Sequence, residues 1–280
     1  MASLSAAAMR ASRALAGAAS NTQRIPRAGL AAAAAAAMPT DLKLHMYQSC
    51  QFCCRATLAL GWLKVPHERV YYGFAHGASA DEGGYDTGKG PYFLTGKKSL
   101  PVLEGTGVPC RGGAKGMAES LEICSYVAAC GGGLPPATGR GDISEWTSRF
   151  LPVMRSLMRP RVVKLQPPLK DYADPRDVDY AVRKYKSWGF DFEAAEAASP
   201  ELREQMGKLL AEVEPMLRGT TDDGVPCLNV WGLGMDDVQV LPLLRNVSMV
   251  RQLDWPPKVL EYVEKACAKA NVELFTDRAC

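Results

Sequence analysis

Cys50-Gln51-Phe52-Cys53 is the stretch of this chain best suited to chemistry, with two thiols three residues apart. Leu42 to Tyr47 alternates apolar residues with polar or small ones, the period of a half-buried strand. From Cys53 the chain reads Cys-Cys-Arg-Ala-Thr-Leu-Ala-Leu-Gly-Trp-Leu, an Ala- and Leu-rich helical run. The thiols therefore sit where a strand hands over to a helix. A thiol at a helix N-terminus faces unpaired N–H groups and the positive end of the dipole. Both favour thiolate, so the pKa of Cys50 is expected to fall below the free value of about 8.5. The second sulfur is within reach of the first, and a redox dithiol is the chemistry this spacing suits. Structural zinc needs a second pair or a Cys/His set. Cys110, Cys124, Cys130, Cys227, Cys267 and Cys280 form no second Cys-x-x-Cys, and His45, His67 and His76 stand apart, so no metal is expected. Cys54, Cys124 and Cys267 fit the pattern of buried core thiols.

The elements that must hold this pair follow in order. Glu68 to Phe74, rich in aromatic and branched residues, reads as a second strand. Residues 75–91 carry five glycines and scattered polar residues, a loop longer than usual. Leu100-Pro101-Val102-Leu103 reads as a strand opening on a proline, which belongs at a strand start or edge because it cannot donate to a ladder. A short return leads to Glu119-Ser120, which opens a helix over Leu121–Ala129, closed by Gly131-Gly-Gly133. Residues 41–130 thus give an α/β unit of strand, helix, strand, loop, strand, turn, short strand and helix. Residues 131–141, Gly- and Pro-rich, read as a linker.

Beyond the linker the period is helical. Leu202, Met206, Leu209, Leu210, Val213, Met216 and Leu217 form one apolar stripe. Val259, Val263, Ala266, Cys267 and Ala270 repeat it, with Pro256-Pro257 placed to start that helix. Trp146–Leu165 and Asp177–Trp188 look helical too, interrupted near Pro160 and Pro167-Pro168. An all-α domain over residues 142–280 is expected.

At 280 residues, 47% apolar and 22% charged, the chain has the composition of an ordinary globular protein of one large or two modest domains. Nine cysteines at irregular positions do not resemble a secreted disulfide framework. Residues 1–40 differ from the rest: four Arg, no Lys, no Asp or Glu, and abundant Ala and Ser. That is the composition of a mitochondrial or chloroplast transit peptide, so an organellar, soluble protein is expected. No run reaches the roughly 18 apolar residues of a membrane span. Without the leader, 29 basic residues face 30 acidic ones, so the formal +3 gives no argument for nucleic acid.

These residues together resemble the glutaredoxin 2 family, a thioredoxin-like glutaredoxin domain followed by an all-α glutathione-transferase-like domain. The resemblance runs from about Leu42 to the C-terminus, with residues 75–91 longer than expected. It is carried by Lys43-Leu-His-Met-Tyr-x-x-Cys50-x-x-Cys53, by Leu100-Pro101-Val-Leu followed by Ala118-Glu119-Ser120, and above all by Asp236-Asp237-Val-Gln-Val-Leu-Pro242-Leu-Leu-Arg245-Asn246 with Asp254-Trp255-Pro256 after it. The resemblance implies that Cys50 is the nucleophile and Cys53 the resolving thiol. It also implies that Pro101 is a cis-proline, that the Leu100 backbone pairs with the cysteinyl part of glutathione, and that Glu119 and Ser120 hold its γ-glutamyl end. Arg55 matches a basic position that would favour the Cys50 thiolate. The implied partners are glutathione as co-substrate and glutathionylated or disulfide-bonded proteins, and the implied state is a monomer.

Two departures stand out. Gln51-Phe52 replaces the family's usual Pro-Tyr, which frees φ at position 51, and Cys54 adds a third thiol. A third, milder one is Gly234 where the family favours Ser as the cap of the helix around Asp236. Some glutaredoxins lacking that Pro bridge a [2Fe–2S] cluster with glutathione, so a non-enzymatic cluster carrier is an alternative. Glutathione-transferase conjugation and a relative of the chloride intracellular channels are others, since both share the two-domain architecture.

Overall fold

The computed structural model describes residues 39–88 and 90–280; the leader expected over residues 1–40 lies outside them except for Pro39 and Thr40. The first half builds a small sheet from β1 (Thr40–Met46), β2 (Glu68–Tyr71) and β3 (Val102–Thr106), in the order β2-β1-β3. β1 runs parallel to β2 and antiparallel to β3, with His45 opposite Val102. A parallel pair needs a crossover, and α1 (Gln51–Trp62) supplies it. α1 packs against α3 (Ser120–Cys130). Leu42, Leu44 and Met46 are buried as the alternation predicts. His45, on the other phase, is also buried, because Tyr72 Oη and Glu104 Oε2 hold its ring nitrogens at 2.7 and 2.9 Å.

Three expectations need correction in this half. β2 ends at Tyr71, not Phe74, and the short strand before α3 shrinks to one bridge, in which Leu103 and Met117 exchange both hydrogen bonds at 2.8 Å. The stretch from residue 75 is not a bare loop. Ala75 and Ala78 pack with Phe74, Tyr85 and Tyr180, and a short helix, α2 (Pro91–Thr95), follows.

The second half contains α4 (Gly141–Val162), α5 (Pro175–Ser187), α6 (Phe192–Ala197), α7 (Ser199–Ala211), α8 (Met235–Val247) and α9 (Pro257–Lys269). α4 runs unbroken through Pro152 and also through Pro160, near which an interruption was expected; Pro160 lies in its last turn, where few further bonds depend on it. The half is helical apart from a two-residue ribbon, β4 (Gly219–Thr220) with β5 (Pro226–Cys227). α8 is buried on nearly every side although it carries Asp236, Asp237, Arg245 and Asn246, and α1 packs onto it. No helix among the described residues is long and apolar enough to cross a membrane.

Candidate functional site

β1 delivers the chain to a tight turn, Tyr47 to Ser49, and Cys50 follows as the residue that caps α1. Its backbone is extended (φ −73°, ψ 122°), and its Sγ accepts a hydrogen bond from Cys53 N at 3.5 Å. A short polar side chain at this position serves the orphan amides of the first turn, and a sulfur anion suits them well. Cys50 is partly exposed, whereas Cys53 is fully buried and its Sγ accepts from Tyr47 N at 3.4 Å. The two thiols are therefore pushed apart. The hydrogen bond from the Cys53 thiol lowers the pKa of Cys50, helped by the Cys53 and Phe52 amides and opposed by burial and by Asp171. Burial first, then that same bond, raises Cys53 well above the usual thiol value. One sulfur is set to be an anion and its neighbour to keep a proton.

The Leu100–Pro101 peptide is cis, and both residues are buried. Leu100 shares a core with Cys53, and Cys50 packs against it, so the structure brings these positions together. Leu100 makes no backbone hydrogen bond to another described residue. Ser120 is the first residue of α3 and is buried. Glu119 before it is exposed and has φ 69°, ψ 108°, an uncommon conformation for a residue with a side chain. Neither Glu119 nor Ser120 is hydrogen-bonded to the cysteines; they present a separate helix start with free first-turn amides. The Arg55 guanidinium lies 5.0 Å over the Phe52 ring, its Nε lacks a partner, and burial lowers its pKa. Cys54 faces the core of the helical half, where burial raises its pKa. Among the described residues no group of three His, Cys, Asp or Glu could hold a metal ion.

Two residues near the site gave no signal in the sequence. Asp171, in a 3-10 turn of the helical half, is fully buried and accepts from Gln48 N at 2.5 Å and Ser49 N at 2.8 Å. Lys98 donates to Tyr47 Oη at 3.0 Å and Phe74 O at 2.6 Å, inside a ring of Tyr47, Phe74 and Tyr180. Burial lowers its pKa to about 8. A lone Asp in Leu-Lys-Asp-Tyr or one of two adjacent lysines looks like any surface charge until the fold encloses it.

Residues 142–279 match the family model for the glutaredoxin 2 C-terminal domain. Glutaredoxin 2 of Escherichia coli strain K12 is 24% identical over 241 residues, which span 85% of this chain and all of that protein. Among solved structures, glutaredoxin 2 from Salmonella typhimurium in complex with glutathione aligns with a TM-score of 0.72 at 23% identity, over 85% of this chain and 99% of that one. A Tau class glutathione S-transferase from mango, Mangifera indica, aligns with a TM-score of 0.50 at 15% identity, over 86% and 96%. The fold is a thioredoxin-like domain followed by a helical, glutathione-transferase-like one.

Proposed function

We propose that this chain, which resembles the glutaredoxin 2 type in both halves, is a glutathione-dependent thiol–disulfide oxidoreductase acting through Cys50. The observation that carries the reading is the opposite displacement of two adjacent thiols, Cys50 downward at a helix start and Cys53 upward in the core. The relatives named glutaredoxin 2, and the glutathione bound to one of them, support the choice of tripeptide.

The Cys50 thiolate attacks the glutathione sulfur of a protein–glutathione disulfide. The S–S bond breaks, the protein thiolate leaves and takes up a proton, and a Cys50–glutathione disulfide forms. A second glutathione thiolate then attacks the glutathione sulfur of that adduct, which yields oxidised glutathione and returns Cys50 as thiolate. The first-turn amides that hold Cys50 as an anion also make it a good leaving group in this second step. Cys53 offers the other exit: it attacks the Cys50 sulfur, expels glutathione and closes the Cys50–Cys53 disulfide. Its raised pKa makes that exit the slower one near neutral pH. For the tripeptide, the Leu100 backbone beside cis-Pro101, the α3 start at Glu119-Ser120 and the Lys98 ammonium are the contacts of this reading. Arg55 adds positive charge near the anion.

The test is glutathione-coupled reduction of a small glutathione mixed disulfide by wild type, Cys50→Ser and Cys53→Ser. Cys50→Ser is expected to be inactive and Cys53→Ser to keep monothiol turnover. Activity that survives in Cys50→Ser overturns the assignment.

A further inference from the structure

The turn that carries Cys50 belongs to the thioredoxin-like half, yet a side chain from the other half holds it. Both oxygens of Asp171 are used: Oδ1 accepts from Gln48 N, and Oδ2 from Ser49 N and Ser49 Oγ. Its carbonyl accepts from Phe74 N at 2.9 Å, beyond the end of β2. A buried carboxylate is costly unless hydrogen bonds satisfy it. Here Gln48 N, Ser49 N and Ser49 Oγ all come from the two residues immediately before Cys50, and the Gln48 carbonyl is in turn held by Arg245 Nη1 at 3.0 Å. We propose that Asp171 is a positioning residue of the Cys50 site, fixing the turn that aims the sulfur and setting a carboxylate charge against it. This inference rests on the oxidoreductase reading for its importance, though not for its test.

The two effects pull in different directions. Fixing Gln48 and Ser49 holds the first turn of α1, and with it the amides that face Cys50. Burial raises the Asp171 carboxyl, against the lowering effect of its Ser49 and Gln48 donors. Once ionised, its charge opposes the thiolate, so that Cys50 ionises at higher pH than its amide partners alone would set, and a thiolate with a higher pKa is the more nucleophilic. The titratable groups that interact electrostatically with Cys50 besides Asp171 are Cys53, Cys54 and Arg55 on α1, Tyr47 at the start of the turn, and Tyr185 on α5. Arg55 is the cation among them and Asp171 the carboxylate, so removing either charge shifts Cys50 in a known direction.

The experiment is the rate of iodoacetamide alkylation of Cys50 against pH, without glutathione, followed by peptide mapping in wild type, Asp171→Asn and Ser49→Ala. Asp171→Asn keeps one acceptor oxygen and loses the charge. Its midpoint is expected to fall, while Ser49→Ala, which keeps the charge, leaves the midpoint in place. An unmoved or raised midpoint in folded Asp171→Asn overturns the proposal. If Asp171→Asn does not fold, Ser49→Ala decides: a two- to tenfold loss of glutathione-coupled turnover at an unchanged midpoint upholds the positioning role, and wild-type turnover overturns it. Because the midpoint is read without glutathione, failure here is distinct from an inactive enzyme in the coupled assay.

Discussion

Nine cysteines share this chain, and their surroundings sort them more sharply than their positions do. Cys50 combines partial exposure with a lowered pKa. Cys53, Cys54, Cys124, Cys227 and Cys267 are buried and pushed up, Cys124 to about 12 and Cys227 to about 11, chiefly because burial disfavours the anion. Cys110 and Cys280 are exposed. Alkylation follows thiolate fraction and access, so brief iodoacetamide treatment near about pH 6 is expected to label Cys50 ahead of Cys110 and Cys280. The five buried thiols should stay unlabelled until the chain is denatured. Peptide mapping checks this, and equal labelling of Cys50 and Cys110 would refute the lowered pKa. The thiol pair was legible in the sequence because its chemistry is local: a strand, a turn and a helix start within a dozen residues. Asp171 was not, because its partner Gln48 lies 123 residues away and only the folded chain brings them together.

At the scale of elements, α8 explains why the Asp236-Asp237 stretch is so distinctive and yet has no part in the chemistry. Asp236 reaches Thr138 in the linker and Asn229 Nδ2, and Asp237 accepts from Gly234 N, Leu228 N and Tyr262 Oη at 2.7–2.9 Å. Gly234 brings no side chain to cap the helix, so Asp237 reaches back to its amide instead. Together they fasten the linker, the β5 segment, α8 and α9. Replacing Asp237 with Ala leaves three buried donors unmatched and is expected to cost about 3 kcal/mol or more, read as a lowered urea midpoint. Burial also pushes the Asp237 carboxyl up to about 6. Between its ordinary value and that one the folded chain keeps a proton that the unfolded chain has lost. Its contribution to stability therefore falls as pH rises through this window, by about 3 kcal/mol at most. Asp237→Asn should lose that slope, and an unchanged slope in urea titrations across the window would show that another group carries it. The helices themselves were legible from apolar period and Pro placement. The tie between residues 75–85 and α5 was not, because Asp177 and Tyr180 create it from the other half of the chain.

Taken whole, the molecule has no clean seam between its halves. Cys54, Leu58, Ala59 and Trp62 of α1 belong to the same core as α4, α8 and α9. Trp62 Nε1 donates to Ala266 O at 2.9 Å, and Arg69 reaches the Asn271 and Ala270 carbonyls where α9 ends. The sequence announced two domains through a change of period and a Gly/Pro-rich linker, but it held no sign that one helix serves both cores. Gly61 is where this closeness can be tested. It lies inside α1, where Gly is about 1 kcal/mol worse than Ala in a helix considered alone. In the folded protein a Cβ at this position would stand 2.5 Å from Ala270 O and 2.6 Å from Ala270 Cα, backbone atoms of the other half. Overpacking of that kind costs about 1–3 kcal/mol, enough to outweigh the helical gain. Gly61→Ala is therefore expected to lower the urea midpoint, whereas a residue governed by its own helix would raise it. The sign decides whether α1 and α9 meet backbone to backbone, and a raised midpoint would mean that the two halves stand further apart than this.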